Sequence, residues 1–75
     1  MPTHKVRRSV RERAQRVREK IRLVEAGILP EGFEEEVDRA LRRKTNAGRD
    51  RALDSVEHNV AVYKILARMP KRGSV

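Results

Sequence analysis

Between Val6 and Ile28 the apolar residues Val6, Val10, Ala14, Val17, Ile21, Val24 and Ile28 recur at steps of 4, 4, 3, 4, 3 and 4. That spacing traces one stripe along an α-helix, close to the heptad average, and excludes the two-residue alternation of a strand. Nearly every position off the stripe is cationic: Arg7, Arg8, Arg11, Arg13, Arg16, Arg18, Lys20 and Arg22. The chain therefore opens with an amphipathic helix whose apolar strip is narrow and whose remaining surface is basic. The period predicts helix 1 over about residues 5–26. Ser9 and Glu12 stand at capping-box spacing, with Thr3 as a competing start. Gly27 is placed to end the helix in the left-handed conformation, with Leu23 and Ile28 in apolar contact across that end, and Pro30 blocks continuation.

Helix 2 is expected over about residues 31–44, with Phe33, Val37, Ala40 and Leu41 on one face. Its acids come first (Glu31, Glu34, Glu35, Glu36, Asp38) and its bases last (Arg39, Arg42, Arg43, Lys44), matching the helix dipole at both ends. Glu35 with Arg39 and Asp38 with Arg42 have favourable i,i+4 spacing. Thr45, Asn46, Ala47 and Gly48 read as a turn, the alternative being one long kinked helix. Helix 3 is expected over about residues 49–68, with Leu53, Val56, Val60, Tyr63, Leu66 and Met69 on its stripe. Ala52, Val62 and Ile65 widen that stripe, which makes helix 3 the element expected to be most buried. Residues 70–75 read as a basic tail.

Three helices with short links in 75 residues predict an all-α fold, a small three-helix bundle forming a single helical domain over 1–75. Its core is thin. Charged residues make up 40% of the chain and hydrophobic ones 37%, the reverse of the balance in ordinary globular domains. Roughly nineteen medium or large apolar side chains are available for burial. There is no Cys, so no disulfide or thiolate metal site compensates, and His4 and His58 are the only imidazoles. A chain this lean gains from an added helix, and the seam of Val6, Val10, Val17, Ile21 and Val24 is the expected interface for a second copy or a partner helix.

The charge is distributed in blocks. Residues 1–20 carry +6, residues 21–40 carry −4 and residues 41–75 carry +6, for a net +8. Of the eight bases from Arg7 to Arg22 seven are Arg, the side chain suited to bidentate contact with phosphate or carboxylate. Arg7, Arg8, Arg11 and Arg18, with Arg42, Arg43 and Lys44, are the residues expected to meet phosphates. With one Phe and one Tyr, both on apolar stripes, the chain lacks platforms for stacking single-stranded bases, so duplex DNA or structured RNA is the expected nucleic acid. The function these features imply is that of a small basic accessory or regulatory protein, such as a phage or plasmid transcription factor. The contrasting reading is a regulator or inhibitor whose arginines dock on an acidic surface of a larger complex such as RNA polymerase.

Other classes fit poorly. A helix-turn-helix would place base-reading residues at the start of helix 3, where Arg49, Asp50, Arg51, Asp54 and Ser55 mix acids with bases. Asp54, Ser55 and His58 fall within one helical turn, but a nucleophilic site needs its base oriented from another element. Asn59 sits between apolar positions, where a buried amide fixes register and an exposed one does nothing. Helix 1 lacks the Trp, Phe and Leu of a membrane-surface helix. No catalytic residue, metal site or cofactor is expected, no membrane partner, and a cytoplasmic location.

Overall fold

Polar pairs between helices establish how they run. The computed structural model describes residues 6–69, which fold into α1 (Arg8–Leu23), α2 (Glu35–Leu41) and α3 (Asn46–Arg68). Between α1 and its neighbour α3 the pairs are Arg7 with Asn46, Arg13 with Asp50 and Lys20 with Glu57. Both numbers rise together, so these helices are parallel. Between α1 and α2 the pairs are Arg18 with Asp38 and Arg22 with Glu34, whose numbers run oppositely. The α2 helix is thus antiparallel to both others, giving an up-down-up bundle, and α2 with α3 makes a hairpin.

The helix ends differ from the sequence reading in ways with local causes. Arg7, in extended conformation, caps α1 without a side-chain hydrogen bond, and Ser9 lies inside the helix, so the Ser9–Glu12 capping box is not used. A tertiary bond replaces it, since the Arg7 N–H is taken by Asn46 at 2.9 Å. At its far end α1 stops at Leu23, where Val24 turns extended. Gly27 is left-handed at φ +92°, but within the following turn, where Ile28 N–H donates to Glu25 O at 3.2 Å. Leu23 is 85% exposed, so little of its side chain is covered at that end. Gly32, at φ +75°, occupies the same third position of the next turn, closed from Phe33 N–H to Pro30 O at 3.2 Å. A positive φ there is what a type II turn demands, and it delays α2 to Glu35.

Charge pairing along α2 also departs from the expected i,i+4 scheme. Asp38 faces α1 and takes Arg18, while Arg39 pairs with Glu36 at 3.1 Å. The break before α3 spans 42–45, so α2 and α3 are separate helices. Thr45 is extended and its hydroxyl accepts the Gly48 N–H at 2.9 Å, a side-chain N-cap that begins α3 at Asn46, three residues before the expected start. Asn46, Ala47 and Gly48 form its first turn. A Cβ at Gly48 would stand 3.0 Å from that hydroxyl, so glycine leaves the cap room to close.

Among the described residues nine apolar ones are buried: Val10, Ala14, Val17 and Ile21 from α1, Val37 and Ala40 from α2, and Leu53, Val56 and Val60 from α3. Val6, Val24, Leu29, Phe33, Leu41 and Ala52 pack around them. The helix 1 seam, expected to receive a partner, closes this core from within the chain. Register then explains why the second half of α3, the helix expected to be most buried, is exposed. The offset of 37 between paired residues sets Leu23, the end of α1, level with Val60. Beyond Val60 the helix overhangs. Val62, Ile65, Leu66 and Met69 are 37%, 60%, 58% and 53% exposed, and Tyr63 is covered there by the edge of Phe33, centroids 5.8 Å apart. The basic tail expected at 70–75 and the competing start at Thr3 lie outside the described residues.

Candidate nucleic-acid interface

Bundle packing divides the cations into two groups. The first is engaged by carboxylates at the helix seams. Arg13, with its side chain 24% exposed, reaches from α1 to three acids of α3: Asp50 and Asp54, each at 2.7 Å, and Glu57 at 3.3 Å. The hydrogen bond to Asp50 above all, with those to Asp54 and Glu57, holds the Arg13 proton more firmly than in free arginine against the opposing effect of burial. Lys20 also bonds Glu57, and with Arg13 it pulls the Glu57 carboxyl below its ordinary range against the opposing effect of burial. Arg18 is held by Asp38 and Arg22 by Glu34 at 3.0 Å. Arg8 meets Glu12 at 3.5 Å on open surface, the geometry of a weak pair.

The second group has no carboxylate partner among the described residues. Arg7, Arg11 and Arg16 belong to it on the α1 side, as do Arg42, Arg43 and Lys44 in the α2–α3 link and Arg51, Lys64 and Arg68 along α3, and all are exposed. Arg7 lies against Asn46, and Arg42 to Lys44 end two residues before Asn46, so most of this group shares one end of the bundle. The joint that gathers them is polar. Asn46 Oδ1 accepts from Arg7 N and also from Arg49 Nη1 at 2.8 Å, while Arg49 Nε donates to Leu41 O at 3.1 Å. Arg49 is 2% exposed, and its guanidinium satisfies a terminal carbonyl of α2 and favours the negative end of that helix. One arginine and one asparagine thus connect the start of α1, the end of α2 and the start of α3.

Of the residues singled out in the sequence, Arg7, Arg8, Arg11, Arg42, Arg43 and Lys44 come together at this basic pole. Arg18 does not, being engaged farther along α1. Val10, Val17 and Ile21 are buried in the chain's own core and Val6 and Val24 flank it. The joint residues Asn46 and Arg49 carried no sequence signal beyond a turn-forming amide and one more arginine. Asp50 and Asp54, acids that would repel phosphate near the start of α3, are each paired with Arg13 but stay exposed, at 54% and 74% of their side-chain surface. Asp54 is turned to Arg13, so no oriented dyad forms with exposed His58, and no group of His, Asp or Glu among the described residues is arranged to hold a metal ion. No described helix is long and apolar enough to cross a membrane. No family model matches the chain, no curated protein matches its sequence, and no solved structure matches its fold.

Proposed function

We propose that the protein binds the phosphate backbone of duplex DNA or structured RNA through the basic pole, as a small accessory or regulatory factor. The observation that carries this reading is the bond from Arg7 N to Asn46 Oδ1, which brings Arg7 and Arg11 to the end of the bundle holding Arg42, Arg43 and Lys44. These cations have no carboxylate partner among the described residues, at a position where the chain could have supplied acids, as it does for Arg13 and Arg18. Repulsion among them is relieved when an anionic backbone is bound. Phe33 and Tyr63 pack edge to face against each other, which leaves neither as a free platform for unstacked bases and favours a duplex ligand.

Fluorescence anisotropy with labelled duplexes of unrelated sequence tests the reading. Replacing Arg7, Arg11, Arg42 and Arg43 together with Gln should weaken binding to every duplex by roughly 100-fold or more, because each lost phosphate contact acts independently of base sequence. Replacing Arg18 and Arg22 with Gln should leave affinity within a few-fold. Equal affinity of the first variant and the parent chain would refute the assignment, and binding only to an acidic protein in nuclease-treated samples would replace nucleic acid with a carboxylate-rich partner.

A further inference from the structure

Part of the chain's acidic block serves neither the basic pole nor the helix seams. Glu31 lies in the turn closed from Phe33 N–H to Pro30 O, and Glu35 opens α2. Both line a groove of about 640 Å³ whose α3 side includes Val62, Tyr63 and Leu66. At 100° per residue these three fall within an arc of about 100°. Phe33 also lines the groove, edge to face with Tyr63, while Val62 and Leu66 are 37% and 58% exposed. Glu36 and Arg39 engage each other at 3.1 Å, but Glu31 and Glu35 have no ion pair among the described residues. Val62 follows Asn46 by 16 residues of one helix, about 24 Å, so the groove and the basic pole lie at opposite ends of α3 and differ in sign.

The mixed lining selects its occupant. Glu31 and Glu35 repel nucleic acid and acidic proteins. A wholly apolar segment would strip water from both carboxylates and return nothing, and a bare cation would leave Val62 and Leu66 in water. A segment that carries Lys or Arg beside an apolar side chain satisfies both features. We propose that the groove docks a basic amphipathic segment of a partner protein. Its apolar side chain rests on Val62 and Leu66, and its cations meet Glu31 and Glu35. So small a contact makes a reversible complex, with a dissociation constant on the order of 10–100 µM. With a duplex at the basic pole the chain would bridge nucleic acid and a cationic protein. That consequence rests on the phosphate reading, whereas the docking itself is measured without nucleic acid.

Fluorescence anisotropy of a short labelled helical peptide of Leu and Lys, titrated with the full chain, tests the groove. Glu31→Gln combined with Glu35→Gln, and separately Leu66→Ser, should each weaken binding by roughly 10-fold or more. Helical circular dichroism should not change, because all three sites are exposed. The matching peptide of Leu and Glu should not bind. Replacing Arg7, Arg11, Arg42 and Arg43 with Gln should leave peptide affinity within a few-fold, which separates this site from the basic pole. No binding of the Leu and Lys peptide, or binding indifferent to both groove variants, would overturn the proposal. Two results would give the groove to another occupant and overturn it as well. One is a tenfold gain in affinity on replacing Lys71 and Arg72 with Ser, which would mean that the chain's own residues fill the groove. The other is self-association of the peptide-free chain that the Glu31 and Glu35 substitutions abolish, which would mean that a second copy does.

Discussion

The side-chain carbonyl of Asn46 accepts the backbone N–H of Arg7 at 2.9 Å, across 39 residues of sequence. The same oxygen accepts from Arg49 Nη1 at 2.8 Å, and since both neighbours are donors the orientation of the carboxamide is determined by them. This single acceptor holds the first helix against the α2–α3 link, and so sets the spacing of the basic pole.

Asn46→Ala removes the acceptor and strands two donors. It should lower stability by about 1–3 kcal/mol, the cost of leaving polar groups near the core unmatched. Asn46→Asp keeps an oxygen in place beside two arginines and should preserve most of the stability. Urea unfolding of both variants checks this, and equal losses would mean that the bond does not hold the joint.

Arg13 is the electrostatic clamp between the parallel helices. Arg13→Gln retains much of the aliphatic stem but leaves Asp50, Asp54 and Glu57 facing one another. A loss of about 1–2 kcal/mol is expected, between the values for an exposed pair and a buried one. Removing Glu12 from its open-surface pair with Arg8 should change stability by less than about 0.5 kcal/mol. Thermal unfolding of Arg13→Gln and Glu12→Gln distinguishes the two kinds of pair.

Acid should act through Glu57. Its folded carboxyl lies below the ordinary value of 4.5, chiefly through the hydrogen bond from Lys20, so the folded state holds the deprotonated form more strongly than the unfolded chain does. That contribution is fully present above pH 4.5 and is lost as the pH falls through the lowered folded value. Urea midpoints measured from pH 7 down to pH 3 should decline at the acid end, and Glu57→Gln should flatten part of that decline. An unaltered profile in the variant would remove Glu57 as a cause.

The core is small enough for one truncation to decide the fold. Leu53 is fully buried among residues from all three helices, and Leu53→Ala should cost about 2–5 kcal/mol, enough to unfold much of the population in a domain of this size. Leu66→Ala, on the exposed overhang, should change monomer stability by less than about 0.5 kcal/mol. Circular dichroism melts of dilute protein compare them directly.

The helical period made the three elements legible before any coordinates, because Val10, Ala14, Val17 and Ile21 recur as only a helix requires. What the period does not encode is register between helices. It therefore could not show that α1 ends level with Val60, while the steps of three after Val60 that joined Leu66 and Met69 to the predicted stripe carry them, at 100° per residue, across α3 from Leu53, Val56 and Val60. Composition likewise marked helix 1 as basic but could not tell Arg13 and Arg18, drawn to acids of other helices, from Arg7 and Arg11, which have none. Asn46 looked like part of a turn since its role depends on a residue 39 positions away.

The most direct test of the basic pole is the salt dependence of duplex binding by the parent chain and the Arg7, Arg11, Arg42 and Arg43 variant. The logarithm of affinity should fall linearly with the logarithm of salt concentration, with a slope of about −0.9 for each phosphate neutralised, and the variant's slope should be shallower by about 3–4. A parent chain with no salt-dependent binding, or a variant whose slope matches it, would contradict the assignment of these residues to a phosphate backbone.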